Sequence, residues 1–157
     1  MSINICRKSV LLAALTIIWM TVIFLFSAQN GEDSSGMSEK VLMFLCGIFD
    51  YSPSPDMRQL LTLLIRKGAH MTEFGILALL WLGTLRSAAD KALWNYPAAF
   101  AASSFYAATD EFHQLFVSER AGQVTDWMID SLGAILFLCI GWLIIRAIDN
   151  KTINSKG

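Results

Sequence analysis

Residues 108–130 read ATDEFHQLFVSERAGQVTDWMID. Asp110, Glu111, His113 and Gln114 fall within five positions, and Arg120, Asp126 and Asp130 follow. The runs on either side, 92–109 and 131–145, carry no charge. Such a stretch between two uncharged runs reads as the connection between two antiparallel membrane spans. Charge that meets lipid is costly, so its concentration here needs a physical reason.

Composition supports a membrane protein. Of 157 residues, 55% are hydrophobic and 16% are charged, against about 25% charged in an ordinary soluble domain. Net charge is −1, which leaves no basic footprint for nucleic acid. The length suits one domain, 1–157. Cys6, Cys46 and Cys139 sit in or beside apolar runs with no paired spacing. They read as small buried apolar residues rather than a zinc site or a disulfide framework.

Two further runs complete the pattern. Residues 9–31 are uncharged, and 71–85 are interrupted only by Glu73. A spanning helix needs about 20 mostly apolar residues at a rise of about 1.5 Å each. The expected fold is therefore all-α, an integral membrane four-helix bundle with spans near 8–27, 67–86, 92–111 and 126–146. The last span accommodates Asp126 and Asp130 at one end. The apolar run 10–26 exceeds the core of about 7–15 residues usual in a signal peptide. Cleavage after Ala28 would also place bulky Phe26 where a small residue is wanted. The first helix is expected to be retained.

Basic residues set the orientation. With the N-terminus inside, cytoplasmic segments hold Arg7, Lys8, Arg86, Lys91, Arg146, Lys151 and Lys156. Of 13 acids only Asp90 and Asp149 join them. This pattern fits the positive-inside rule, with both termini cytoplasmic and Trp94 and Tyr96 near the inner interface. The first outer connection begins with GEDSSGMSEK, polar and flexible in composition. Val41, Phe44, Leu45 and Ile48 then share one helical face. That segment is too short to span and reads as a short interfacial helix or lid. Ser54 and Pro55 suit an N-cap and first helical position, so one helix is expected from Pro55 to Arg86.

Under this topology the polar residues of all four spans gather at the outer face. Ser27 and Gln29 end the first. Arg66, Lys67, His70 and Glu73 open the second, with Arg66, His70 and Glu73 on one helix face. Asp110, His113 and Gln114 share a face at the end of the third. Glu73 lies about 9 Å deeper than Lys67, and Asp130 about 6 Å deeper than Asp126. Ionised groups at such depth should face the bundle interior and pair with Arg66, Lys67, Arg120 or the histidines.

Helix-end chemistry is the simpler explanation for part of this. Asp126 near a helix start favours the dipole, and Glu119 reads as an exposed loop residue. Asp110 and Glu111 resist that explanation because they end a helix, where acids are disfavoured. Arg66 and Lys67 lie on the side where basic residues are normally depleted. The candidate acid–base cluster is therefore His70, Glu73, Asp110, Glu111 and His113. The candidate ligand-binding residues are Gln29, Arg66, Lys67, Gln114, Arg120, Asp126 and Asp130. The two histidines lack the tight spacing of a zinc site, and neither a metal nor a cofactor is expected.

These residues also carry a family resemblance. FSAQ ends the first helix, RKGAHMTEFGILALL lies in the second, and DEFHQLFVSERAGQVTDWMIDSLGA crosses the third and fourth. In that order they resemble the VanZ-like membrane proteins over nearly the whole chain. The family often has Pro-Gly where this chain has Ser118 and Glu119, asparagine at Asp130 and tyrosine at Phe74. The resemblance implies a bacterial cytoplasmic (inner) membrane protein linked to the cell envelope. The family's namesake is associated with low-level resistance to the glycopeptide teicoplanin. The expected partners are the lipid bilayer and a lipid-linked envelope precursor or a glycopeptide. Three functions stay open: an enzyme using histidine and carboxylate as acid and base, a non-enzymatic binder of an anionic ligand, and a small transporter. The inner half of the spans shows almost no ionisable residue, which weighs against transport.

Overall fold

The computed structural model describes residues 2–88 and 93–154, with side chains from 7 to 88 and 93 to 151. Asp90, Lys91 and Lys156, used above for orientation, and the side chain of Cys6 lie outside the described residues. The described chain forms five helices: α1 (Ser2–Ser27), α2 (Gly31–Ile48), α3 (Pro55–Ala88), α4 (Asn95–Gln114) and α5 (Val124–Asn154). α3 is central and packs against each of the other four.

α3 starts at Pro55 as its local sequence requires. The Met57 amide approaches Ser54 Oγ at 3.4 Å and the Arg58 amide donates to the Ser54 carbonyl at 2.8 Å. Its 34 residues rise about 51 Å, more than the roughly 30 Å of a bilayer core. The first turns of α3 therefore project beyond a membrane, and α2 packs on α3.

α2 is longer than expected and takes in the polar GEDSSG stretch. Asn30 Oδ1 accepts the Asp33 amide at 2.7 Å, and Glu32 and Asp33 occupy the positive end of the helix. At the other end Asp50 has φ 48°, and the Tyr51 amide returns to the Cys46 carbonyl at 2.9 Å. That bond is the long closure of a Schellman turn.

Three helical segments are long and apolar enough to cross a membrane: Arg7–Ser27, Pro55–Ala88 and Val124–Lys151. The four expected spans thus reduce to three by composition. α4 drops out because Asn95, Ser103, Ser104, Asp110, Glu111 and Gln114 dilute its hydropathy, and all six are buried against neighbouring protein. Large apolar side chains cover the outside of α1 and α5, including Val10, Leu11, Ile17, Leu132, Leu143 and Ile148. Cys46 is buried as expected, but Cys139 is exposed on this apolar surface.

Between the helices lie two apolar clusters. Ala78, Leu82, Ala99, Ala134 and Leu138 form one, with Trp81 and Phe100 against it. Ile23, Phe74, Leu77 and Ala107 form the other. Helix approach depends on glycine at two places. A β-carbon on Gly133 would collide with the Met71 carbonyl, and one on Gly75 with the Phe137 ring, so α3 and α5 meet nearly backbone to backbone, as small residues allow in membranes. Polar ties supplement this packing. Trp19 Nε1 donates to the Glu73 carbonyl at 3.0 Å, Tyr106 OH to the Met20 carbonyl at 2.7 Å, and Trp127 Nε1 to the Ser104 carbonyl at 3.0 Å.

Candidate functional site

The C-terminal ends of α1 and α4 and the N-terminal end of α5 meet beside α3 at the polar end of the bundle. The last turn of α4 buries Asp110, Glu111 and Gln114. Gln114 Nε2 donates to Ser27 Oγ at 3.1 Å and to Asp110 Oδ2 at 3.0 Å, which ties α4 to the end of α1. Glu111 points the other way and its Oε2 accepts the Gln123 amide at 2.8 Å, just before α5 begins. A β-carbon on Gly122 would strike the Glu111 carbonyl, so this turn closes only with glycine there.

Arg120 reaches from the α4–α5 loop to the end of α1. Its Nε donates to the Gln29 carbonyl at 3.1 Å and its Nη2 to the Phe26 carbonyl at 3.3 Å. The Phe26 carbonyl belongs to the last turn of α1, where carbonyls attract cations, and Gln29 lies just beyond it. Lys67 on α3 pairs with Asp126 on α5. His70 Nδ1 lies 3.9 Å from Glu73 Oε2 and makes no hydrogen bond among the described residues.

These groups surround a cavity of about 180 Å³ lined by Arg66, Lys67, His70, Glu111, Gln114, Glu119, Arg120, Asp126 and Asp130, among others. A second space of about 100 Å³ adjoins it, sharing Arg66, His70 and Arg120 and adding Gln29 and Glu73. Ten of the candidates named from the sequence thus line one space or the other. Asp110 and His113 line neither. Asp110 sits behind Gln114, and the His113 ring packs on Phe24 with centroids 4.7 Å apart. His113 Nδ1 has no hydrogen-bond partner among the described residues.

Asp130 corrects an expectation. It is buried to 1% exposure, yet no cation pairs with it among the described residues, and its Oδ2 makes no hydrogen bond. Lys67, a cation on the same cavity wall, is taken by Asp126, one helical turn before Asp130. The result is a buried polar atom without a protein partner on the cavity wall, a feature that calls for an explanation such as a ligand.

Glu119 is an exposed loop residue, as expected, and it carries a structural role besides. Glu119 Oε2 accepts the Glu32 amide at 3.2 Å, and the Ser118 carbonyl accepts the Gly31 amide at 3.1 Å. The loop therefore caps α2 from 87 residues away. Glu119 also has φ 59°, a left-handed conformation that glycine adopts freely. The departure from Pro-Gly thus falls at a position whose backbone suits glycine, and the carboxylate gains a helix end in return. A sequence signal for this existed in the substitution itself.

Charge in the cavity is only partly compensated. Asp126 is taken by Lys67, Glu111 by a main-chain amide and Glu119 by α2. Arg120 binds main-chain carbonyls, while Arg66 Nη1 has only a long contact of 3.5 Å to Ser35 Oγ. Neither arginine has a carboxylate ion pair among the described residues. Burial, and after it the Arg66 guanidinium, lower the pKa of Arg120 from its ordinary value, against the opposing pull of Asp110, Glu111 and Glu73. Two like charges at one wall leave room for an oxyanion to relieve their repulsion. Among the described residues no group of three or more histidine, cysteine or acidic side chains is placed to hold a metal ion.

Five helices, three able to span a bilayer, with a charged cavity at one end, define an α-helical membrane protein with a polar terminal site. The chain belongs to the VanZ/LLP1 family, which matches residues 12–146 and so takes in every residue of the cavity. No curated protein and no solved structure matches it.

Proposed function

We propose that the cavity is an outward-facing binding site for the phosphate or carboxylate of a lipid-linked or cell-wall-related ligand at the bacterial cytoplasmic membrane. In this reading α4 is a fourth span, shielded by its neighbours, and both termini are cytoplasmic. Its 20 residues rise about 30 Å, enough to cross. A cysteine introduced at Ser34 would then be labelled by an impermeant reagent in intact cells, and one at Ser155 would not. The reverse pattern sinks the topology.

The observation that carries the binding role is that Arg66 and Arg120 line one wall and, among the described residues, neither has a carboxylate partner. A soluble phosphate monoester tests it directly. Calorimetric titration of the purified protein with glycerol 3-phosphate should show saturable binding. Arg66→Gln should weaken it by roughly tenfold or more, the usual loss of a charge-assisted hydrogen bond. Equal binding by the variant, or none by the wild type, defeats the reading. Proton transfer at this site would fall to His70, the one histidine that lines it among the described residues. The apolar cluster at the other end of the bundle supports binding over passage. Tolerance to teicoplanin is the envelope phenotype to score.

A further inference from the structure

The cavity is the middle of three adjoining spaces with different chemistry. Arg66 lines it and also a groove of about 900 Å³ between α2 and the first turns of α3, where Ser35, Glu39, Gln59 and Thr62 offer hydrogen bonds. On the opposite side Glu111 and Gln123 line both the cavity and an apolar groove of about 220 Å³ between α4 and α5. Phe112, Leu115, Val124 and Trp127 wall that groove. Phe112, Leu115 and Val124 are among the more exposed apolar side chains of the molecule.

The apolar groove and the cavity meet at Glu111 and Gln123, which line both, and there the Glu111 carboxylate accepts the Gln123 amide at 2.8 Å. Phe112 faces the groove one residue after Glu111 faces the cavity. Hydrocarbon surface, unpaired guanidinium and hydrogen-bonding groove therefore follow one another in the order of chain, phosphate and headgroup. The cavity end of this path also presents the buried, unpartnered Asp130 Oδ2.

We propose that the protein holds one membrane phospholipid across all three spaces. A hydrocarbon chain lies in the α4–α5 groove, the phosphate sits between Arg66 and Arg120, and a hydroxyl-bearing headgroup occupies the α2–α3 groove. The inference rests on the anion site proposed above and adds that the anion carries a chain which the protein itself grips. Arg66 selects the occupant: a neutral lipid leaves its guanidinium with only the long Ser35 contact, and a chain-free anion leaves the apolar groove to bulk lipid. Asp130 would meet the phosphate region as a neutral acid whose O–H donates to it, and Ser35 and Gln59 would meet the hydroxyls beyond it.

The test uses full-length protein in phosphatidylcholine nanodiscs containing a trace of phosphatidylglycerol with a diazirine on its acyl chain. After irradiation, peptide mapping should find labelling concentrated on residues 108–127. Arg66→Gln should cut that labelling roughly tenfold, as expected for one lost charge-assisted contact. The matching diazirine-bearing diacylglycerol, without phosphate, should label the exposed faces of α1 and α5 without preference for this segment. Ala108→Trp, which fills the groove, should remove labelling from 112–127 in protein that still elutes as a single species. Labelling spread evenly around the helices, or equal labelling of 108–127 by the phosphate-free probe, overturns the proposal. If glycerol 3-phosphate still binds in an Arg66-dependent way, the anion site stands and only its lipid occupant is lost.

Discussion

At one end of the helices Ala78, Leu82, Ala99, Ala134 and Leu138 meet in an apolar cluster. At the other end Asp110, Glu111, Gln114 and Asp130 are buried just as deeply. α3, α4 and α5 run through both ends, and both ends bury side chains between them. The apolar end is held by shape, through small residues and side chains in contact. The polar end is held by hydrogen bonds that nearly balance: Gln114 serves Ser27 and Asp110, Arg120 serves two carbonyls, and Lys67 serves Asp126. Among the described residues the balance fails at Arg66, His70, His113 and Asp130. A stability-driven design would have filled those positions with apolar residues, since a buried ionic network is weak support for a fold. The difference is what the anion site proposed above predicts for the polar end.

If that contrast is right, damage to packing should cost the most. Gly133→Leu drives a side chain into the α3 backbone and should destabilise by about 3 kcal/mol or more. Thermal unfolding in detergent would show a large loss. A variant that unfolds like the wild type would mean that the α3–α5 approach is not as close as described.

An ion pair at the polar end should matter less. Lys67→Met leaves Asp126 without its cation. Fully buried pairs broken this way lose about 3–5 kcal/mol. These side chains are 29% and 24% exposed, so a cost of about 2 kcal/mol is expected. Lys67→Met combined with Asp126→Leu should recover most of it. Failure to recover would show that the pair has further partners.

Asp130 separates stability from function. Asp130→Leu gives up no hydrogen bond at Oδ2 and should shift folding stability by less than about 1 kcal/mol, in either direction. It should nevertheless weaken glycerol 3-phosphate binding, while Asp130→Asn should keep it, because an amide still offers polar atoms at that place. Unchanged binding by the leucine variant reduces Asp130 to a residue of the first turns of α5.

The smallest effect belongs to Glu119. Glu119→Gln keeps a weaker acceptor for the Glu32 amide but removes the charge at the positive end of α2, at a cost of about 0.5 kcal/mol. Glu119→Gly loses the acceptor too, but relieves a left-handed backbone worth about 1 kcal/mol, and should come out near neutral. Limited proteolysis within α2 would register both. Greater protection in Glu119→Gln than in the wild type contradicts the capping role.

Much of the fold was legible. The uncharged runs marked three spans, and Ser54–Pro55 marked the start of α3 because the cap is a local device. The start of α2 was partly legible, since Asn30 followed by Glu32 and Asp33 is a local cap signal, but the GEDSSG composition obscured it. Its second anchor could not be read, because Ser118 and Glu119 arrive from another connection. α4 was legible as an uncharged run, yet its polar residues blurred its hydropathy. Their burial depends on neighbours that composition does not reveal.

The same division holds inside the site. Helical periodicity alone determined that Asp110, His113 and Gln114 share one side of α4, and that Arg66, His70 and Glu73 share one side of α3. It could not determine what each side faces. Rotation of a helix about its own axis is set by contacts with other helices, such as Gly133 on Met71 and Gly75 on Phe137. That rotation turns Asp110 and His113 toward α1 and Glu111 toward α5, so neighbouring residues of one motif reach different surroundings. The sequence by itself determined that charge would gather at one end of an apolar bundle. Only the tertiary structure decided which of those charges would find partners and which, with Arg66 and Asp130, would be left facing a cavity.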